Sequence, residues 1–282
     1  MTARLRVYQA LWAMTGEPVD ASFDRVAEAG YDGMAIDLGA LSLEAARATV
    51  PHFTRTGLAG LVTAFPRSID GLRPALHLAR DIGAPFVVVI GQVMPLTVSE
   101  MADAVRAWLR VADGEGMPIQ FETHRNCITN DLFSTVQLLD AVPEMILSAD
   151  LSHYVVDREL PCPPPPELQA HFSHVLSRAN SLQGRVAARG QIQVALDFPQ
   201  NRKWVALFLE WWERGFRDFA RRHPGADATF ICELGPPDYA ITDANGQELS
   251  DRWVEALTLR DHARSLWAGI VAGTPAPTPA GS

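Results

Sequence analysis

The chain has 282 residues, of which 48% are hydrophobic and 20% charged, and its formal net charge is −9. This composition is typical of a globular protein, and the length suits one large α/β barrel or two smaller domains. Lys203 is the only lysine among 24 basic residues. The acidic balance argues against nucleic acid and anionic membrane surfaces as partners. No apolar run approaches the roughly 18–20 residues that span a bilayer.

The cysteines and the two chain ends bear on localisation. Cys127, Cys162 and Cys232 are odd in number and widely spaced, which indicates reduced thiols and neither a disulfide framework nor a zinc knuckle. The first residues lead directly into a strand pattern without a secretory apolar segment. We therefore expect a cytoplasmic protein. Residues 274–282 (TPAPTPAGS) are predicted to be a disordered tail.

Short apolar strands alternate with longer helical patterns along the chain. Residues 86–90 (FVVVI) are β-branched and apolar on both faces, which is typical of a parallel strand buried on both sides. A proline-rich connection at 161–166 precedes the seventh strand, and an aperiodic segment at 179–200 follows it. Helices are predicted at 22–29, 42–56, 68–82, 97–114, 131–141, 204–222 and 251–270. Strands are predicted at 6–12, 33–37, 57–65, 86–90, 118–122, 145–150, 173–178 and 228–233.

Eight strands, nearly all followed by a helix, predict a single (β/α)8 TIM barrel over residues 1–273. An open, doubly wound sheet is the alternative. Such a sheet would usually bind a nucleotide, and the sequence contains neither G-x-G-x-x-G nor G-x-x-x-x-G-K-[ST]. The sequence therefore favours the barrel, and we expect no organic cofactor.

Three apolar strands end in a carboxylate: Glu122, Asp150 and Glu233. Each alone could be a helix cap or a solvated loop charge. In a barrel, however, the carboxyl ends of all strands meet at one mouth. Three carboxylates there repel one another unless a cation lies among them. Oxygen ligands suit Mn²⁺ or Mg²⁺, with Co²⁺ or Zn²⁺ as alternatives.

Two further residues are candidates for contacting a substrate at this mouth. His124 lies two positions after Glu122, so in a strand the two side chains point the same way. Trp12 ends the first predicted strand and is placed to line the mouth. We therefore expect both side chains to face a small-molecule substrate.

Three motifs resemble the xylose-isomerase-like TIM barrels, a family that includes sugar phosphate isomerases and epimerases, ketose 3-epimerases and endonuclease IV. The motifs are ETHR at 122–125, ADLSH at 149–153 and CELGPPDY at 232–239. The resemblance implies that Glu122, Asp150 and Glu233 are metal ligands. It also implies that His153 lies beside the metal and the substrate, and that Arg178 or Arg185 contacts the substrate.

The seventh predicted strand departs from the family pattern. The family usually supplies its fourth metal ligand there, as the second histidine of a His-x-His pair, and this chain has Leu176 at that position. His174 shares the face of Leu176 but would lie deeper in the barrel, and a glutamine from the following segment is the alternative. The candidate glutamines are Gln183, Gln191 and Gln193.

The function expected from these residues is that of a metal-dependent isomerase or epimerase acting on a small sugar, polyol or keto-acid. Glu122 or Glu233 would move a proton next to a carbonyl, and His153 would hold or protonate an oxygen. A lyase or dehydratase acting on a keto-sugar or glycoside could use the same site. A catalytically degenerate barrel that serves as a binding subunit is another alternative, which Leu176 favours. Endonuclease activity is disfavoured. We expect no nucleic-acid or membrane partner and allow for a homodimer.

Overall fold

A computed structural model describes residues 3–273, in which eight parallel strands form a closed barrel in the order of the chain. The predicted (β/α)8 fold is confirmed. The predicted disordered tail at 274–282 lies outside the described residues. The strands are β1 Leu5–Ala10, β2 Gly33–Asp37, β3 Ala59–Ala64, β4 Val87–Val89, β5 Ile119–Glu122, β6 Leu147–Ala149, β7 Ala179–Gly184 and β8 Ala228–Cys232.

Ten α-helices lie between and after these strands in residues 3–273. They are α1 Val19–Glu28, α2 Leu43–Ala48, α3 Val50–Thr56, α4 Arg73–Asp81, α5 Val98–Gly114, α6 Leu132–Ala141, α7 Ser152–Asp157, α8 Pro166–Ser177, α9 Arg202–Arg222 and α10 Arg252–Gly273. None of these helices is both long and apolar enough to cross a membrane.

The strands divide the core into two apolar layers because successive side chains point to opposite faces of a strand. One face packs against the helices, where Val7, Met34 and Phe230 are fully buried. The other face fills the barrel with a smaller cluster: Tyr8, Ala35, Leu61, Phe86, Val88 and Ile231. Pairing of β1 with β8 closes the sheet. A closed barrel leaves no unpaired strand edge, so all eight strand ends surround one mouth.

Polar caps start several helices where the sequence predicts. The Thr97 hydroxyl accepts a hydrogen bond from the Glu100 backbone N–H at the start of α5, and the Glu100 carboxylate accepts one from the Thr97 N–H. Asp131 caps α6 in the same way through the N–H of Ser134. The predicted start of α1 is wrong. Ser22 lies within the first turn of that helix, and its hydroxyl donates to the Pro18 carbonyl at 3.2 Å.

The predicted position of the seventh strand is also wrong, because residues 173–178 belong to α8 and to its C-terminal cap. Phe172, Val175 and Leu176 are all buried, and their spacing is that of a helix face. The true strand β7 comes next and reads ANSLQG. Leu176 therefore packs between helices: a side chain added at Gly215 of α9 would meet its Cδ2 at 3.1 Å.

Two tryptophans of α9 hold α8 and β7 in place. The Trp211 ring stacks on Phe172 of α8, with centroids 4.5 Å apart and planes inclined by 12°. The Trp212 indole N–H donates to the Gln183 carbonyl of β7 at 3.1 Å. Because strand β7 has few apolar side chains of its own, the tryptophans of α9 supply the packing that holds it in the barrel.

Candidate active site

Three carboxylates meet at the mouth of the barrel. Glu122 is the last residue of β5, whereas Asp150 and Glu233 directly follow β6 and β8. One carboxylate oxygen from each lies within 4.8 Å of the other two. Glu122 and Asp150 are 0% exposed, and Glu233 is 7% exposed. The barrel therefore concentrates negative charge in a site with little water to screen it.

Arg185 brings a positive charge into the same cluster. It follows β7 directly, as Asp150 follows β6. Its Nη2 donates to Asp150 Oδ2 at 2.5 Å and lies 3.6 Å from Glu233 Oε2. Its Nε donates to the Ser152 hydroxyl at 3.2 Å. The guanidinium is 1% exposed, and its Nη1 has no hydrogen-bond partner among the described residues.

Asp150 and Arg185 form a buried ion pair that the surroundings hold in place. The Ser152 N–H donates to Asp150 Oδ1 at 2.8 Å, so both oxygens of this carboxylate have donors. Burial by itself would lower the pKa of Arg185, but the charges of Asp150 and Glu233 raise it overall. Arg185 is therefore a permanent cation within the mouth.

Glu122 keeps one oxygen free to react. The Gln183 amide donates to its Oε2 at 2.7 Å, whereas its Oε1 is buried and unpartnered within residues 3–273. Burial raises the pKa of Glu122 well above its ordinary value, and the nearby charge of Glu233 adds to the effect. Gln183, one of the residues considered as a fourth metal ligand, thus serves as a hydrogen-bond donor to Glu122.

Glu233 faces the same space. Burial raises its pKa to about 8, although Arg185 opposes the shift. Its Oε2 has no hydrogen-bond donor in the described part of the chain. A buried carboxyl group with a pKa near neutrality can both accept and release a proton under physiological conditions, as general acid–base catalysis requires.

Another carboxylate, Asp37, ends β2, and the sequence reasoning did not include it. Its Oδ1 accepts hydrogen bonds from the Gly39 and Ala40 N–H groups, at 2.6 and 3.0 Å. Burial raises the pKa of Asp37 to about 6. The sequence does indicate this position, because Asp37 is the last residue of a predicted strand, as Glu122 is.

Two imidazoles border the carboxylates. The rings of His124 and His153 have centroids 4.0 Å apart. Burial lowers the pKa of His124 to about 4 and that of His153 well below its ordinary value, so both rings are neutral near pH 7. His124 Nδ1 lies 2.5 Å from the Arg125 carbonyl oxygen. His153 Nδ1 is buried, and no residue from 3 to 273 hydrogen-bonds to it.

A pair of aromatic side chains lies beside these polar groups. Trp12 and Tyr239 meet edge to face, with ring centroids 5.3 Å apart. The Arg185 guanidinium lies 5.0 Å from the centroid of the Tyr239 ring, and the Arg125 guanidinium lies 5.9 Å from it. Trp12 thus lies at the mouth, where the sequence places it.

Other residues considered from the sequence lie elsewhere. Arg178 follows α8, and its guanidinium binds the carbonyls of Pro143 and Met145, next to the N-terminal end of β6. This position is at the end of the barrel opposite the mouth, so Arg178 is too far away to contact a substrate there.

The remaining candidates for a fourth metal ligand are also displaced. His174 and Leu176 lie on α8, and His174 Nε2 is 3.2 Å from Asp140 Oδ1. Gln191 is exposed. The amide of Gln193 exchanges two hydrogen bonds with the Gly235 backbone, at 2.7 and 3.0 Å. The sequence predicts a strand that ends at Arg178, which would have put His174 and Leu176 near the mouth. Both residues instead lie on α8, so neither is near the carboxylates.

The donors at the mouth suit a divalent cation. Glu122, Asp150 and Glu233 supply oxygen atoms close enough to share one ion, and Glu122, His124 and His153 form a second group with ligand atoms within 4.8 Å of one another. Hard cations such as Mg²⁺ prefer the carboxylate set. Glu122 Oε1 and Glu233 Oε2 are buried and accept no hydrogen bond within the described residues, which is consistent with a ligand of this kind.

The closed barrel with an acidic mouth has the xylose-isomerase-like TIM-barrel fold, as the sequence motifs indicate. D-allulose 3-epimerase from Methylomonas sp. is similar at 15% identity, with 94% of this chain and 98% of that chain covered and a TM-score of 0.59. A xylose isomerase-like TIM barrel protein from Mycobacterium smegmatis, in complex with magnesium, matches at 14% identity over 94% and 97% of the two chains, with a TM-score of 0.62.

A probable 3-DHS dehydratase from Bacillus anthracis shares the fold at 12% identity, over 90% of this chain and 97% of that one, with a TM-score of 0.58. No protein-family model matches the sequence, and no curated protein matches it. At these identities the similarity establishes the fold, and function must be argued from the site itself.

Proposed function

We propose that this protein is an isomerase or epimerase that transfers a proton at the carbon next to the carbonyl of a small sugar, polyol or keto-acid. One observation carries the proposal: Glu122 and Glu233 face the same buried mouth, and each keeps an oxygen that accepts no hydrogen bond from residues 3–273. The similarity in fold to a sugar 3-epimerase supports this reaction class.

The two glutamates suit the removal and return of a proton. An ionised carboxylate takes the proton from the carbon. The electron pair of that C–H bond forms a carbon–carbon double bond while the π pair of the carbonyl moves to its oxygen, giving an enediolate. A protonated carboxyl group then returns a proton to carbon. Because the pKa values of both groups are raised, one can hold a proton while the other is ionised, as such a pair needs.

The neighbouring polar groups would hold the substrate. Arg185 Nη1 and His153 Nδ1 are buried with their hydrogen-bonding capacity unused in the described chain, so they are available to substrate oxygens. A guanidinium beside the developing enediolate stabilises its negative charge, and the buried surroundings strengthen that interaction. The Trp12–Tyr239 pair offers an apolar face for the carbon skeleton.

A divalent ion would be held by Glu122, Asp150 and Glu233, and we propose Mg²⁺ or Mn²⁺ because the donors are oxygens. When bound, such an ion polarises a substrate carbonyl. A magnesium complex of a protein with the same fold supports this assignment.

Dehydration or β-elimination is the second candidate, because elimination also begins with proton abstraction next to a carbonyl. The observation that favours it is the raised pKa of Glu233, about 8. A carboxyl group that is protonated at neutral pH can give its proton to a leaving hydroxyl group. The similarity in fold to a probable dehydratase supports this alternative.

A solvent-exchange screen separates these reactions. Ketoses and keto-acids would be incubated in D₂O with the protein and Mn²⁺ or Mg²⁺, and NMR would follow loss of the proton next to the carbonyl. Retained carbon–oxygen bonds indicate epimerisation or isomerisation, whereas loss of water indicates dehydration. We expect Glu233→Gln and Glu122→Gln to lower turnover by about 10²–10⁴-fold, which is typical of an acid–base group.

Glu255→Gln is the matched control, because Glu255 is also a buried glutamate with a raised pKa and lies on α10. It should retain turnover. Normal turnover in both Glu233→Gln and Glu122→Gln would refute the assignment of the two glutamates.

A further inference from the structure

Arg185 places a positive charge among two of the three carboxylates of the cluster. Its Nη2 is 2.5 Å from Asp150 Oδ2 and 3.6 Å from Glu233 Oε2. These two residues are also two of the three that would bind a divalent ion. We propose that Arg185 is an internal competitor of the divalent cation, so that an ion enters the carboxylate cluster only when the guanidinium leaves Asp150.

Distance makes the two cations difficult to accommodate together. A divalent ion lies about 2.0–2.6 Å from a ligand oxygen. The guanidinium nitrogen is already 2.5 Å from Asp150 Oδ2. Ion and nitrogen would therefore be no more than about 5 Å apart on one oxygen. At 1% exposure for Arg185 and 0% for Asp150, little solvent screens the repulsion between two positive centres.

The guanidinium is also built into the site. Its Nε donates to Ser152, its Nη2 to Asp150, and its face lies against the Tyr239 ring. An entering ion must break the bond to Asp150 and displace the guanidinium from these contacts. The ion's affinity for the carboxylates is reduced by whatever free energy that rearrangement costs.

The second group of ligand atoms, on Glu122, His124 and His153, gives the proposal a clear rival. An ion bound there would not use Asp150 or Glu233, although Arg185 Nη2 is 3.4 Å from His153 Nε2. Asp150 would not bind that ion directly and would act on it only through its charge, because Asp150 Oδ2 lies 3.4 Å from His153 Nε2; Asp150→Asn should therefore weaken such binding less than binding at the carboxylates. Replacing Asp150 thus distinguishes competition at the carboxylates from binding at the histidines.

The experiment measures Mn²⁺ binding without substrate, by calorimetry and by the rise in melting temperature. The full-length wild type would be compared with Arg185→Met, Arg185→Lys and Arg125→Met. We expect Arg185→Met to bind Mn²⁺ at least tenfold more tightly than the wild type, and Arg185→Lys to lie between them. Arg125→Met removes the other arginine beside Tyr239, which forms no ion pair with the carboxylates in the described chain, and should change affinity by less than threefold.

Two further measurements test the mechanism of competition. Adding Asp150→Asn to Arg185→Met should abolish the gain in affinity. In Arg185→Ala, millimolar guanidinium should enter the vacated space and weaken Mn²⁺ binding, whereas sodium at equal ionic strength should not.

Equal Mn²⁺ affinity in wild type and Arg185→Met, or an Arg185→Met site that is insensitive to Asp150→Asn, would overturn the proposal. If Arg185→Met does not fold, an Arg185→Lys protein that binds no more tightly than the wild type would overturn it equally. Because no substrate is present, these outcomes do not depend on the proposed isomerase or epimerase activity.

Discussion

Replacing Glu255 with glutamine should change how the stability of the barrel depends on pH. Glu255 lies in the first turn of α10 and is 7% exposed. Its Oε1 accepts a hydrogen bond from the Leu196 N–H at 2.8 Å. Burial raises its pKa from 4.5 to about 7, although bonds from Leu196 and Ser250 oppose the shift. Glutamine keeps the size and the acceptor oxygen but cannot ionise.

The sign and size of the effect on the free energy of unfolding follow from how tightly each state binds the proton of Glu255. The folded protein holds the Glu255 proton more tightly than the unfolded chain does, so between pH 4.5 and about 7 the free energy of unfolding falls as pH rises. Above about pH 7 the free energy of unfolding falls no further on account of Glu255. A shift from 4.5 to about 7 corresponds to about 3.5 kcal/mol at most, since one pKa unit is worth about 1.4 kcal/mol. Glu255→Gln should abolish this contribution.

Urea unfolding of both proteins at several pH values from 4.5 to 8.5 measures the effect. Asp37, Glu122 and Glu233 also have raised pKa values, so the informative quantity is the difference between the two proteins. That difference should favour the glutamine variant increasingly from pH 4.5 to 7 and then level off. A difference that stays constant with pH, or that favours the wild type increasingly toward pH 8, would refute the reasoning.

Three other substitutions test the fold and the mouth. Gly33→Ala should destabilise the protein by about 1–3 kcal/mol in urea unfolding, since a Cβ there would clash with the Tyr8 ring inside the barrel. Leu176→Ala should lower the free energy of unfolding by about 2–5 kcal/mol in the same assay, because Leu176 is a fully buried helix residue. Mn²⁺ affinity should not change, and a changed affinity would contradict the placement of Leu176 away from the mouth. Gln193→Ala removes both hydrogen bonds to the Gly235 backbone, so we expect the free energy of unfolding to fall by about 1–3 kcal/mol. Because the mouth is then held less firmly, kcat should also fall. Unchanged kinetics would show that these bonds do not position the site.

The sequence predicts most of the barrel because seven of its strands are apolar. The run at 86–90 contains β4, and 118–122 and 228–233 contain β5 and β8. In β4 apolar side chains face both the barrel interior and the helices. In β5 Gln120 faces the interior, but Ile119 and Phe121 pack in the core with the helices and still mark the strand. The three carboxylates could be placed together for the same reason, since the end of a well-defined strand locates the residue that follows it.

Strand β7 could not be found in this way because its inward-facing side chains are polar. Ser181 and Gln183 are 1% exposed, yet each is paired with a polar group on β5. Such pairing replaces apolar packing and erases the alternating pattern on which strand prediction depends. The preceding helix α8 is apolar enough at residues 172–176 to resemble a strand.

The same error concealed the role of Arg185. A strand that ends at residue 178 puts Arg178 at the mouth, whereas the true end at Gly184 puts Arg185 there. From the sequence, Arg178 and Arg185 are equal candidates for contacting a substrate. Only the three-dimensional arrangement shows that Arg185 pairs with Asp150.

The polar pairs between β5 and β7 also bear on the order in which the molecule assembles. Ser181 with Gln120, and Gln183 with Glu122, each join residues 61 positions apart and pass over the strand between them. The contact of Arg4 with Asp227 beside the closing strands spans 223 positions. Contacts across such long stretches of chain form slowly, because the entropy of loop closure is lost before they contribute. We therefore expect helical circular dichroism to return early in refolding, and the two glutamates to lose their water only when the first and last strands meet.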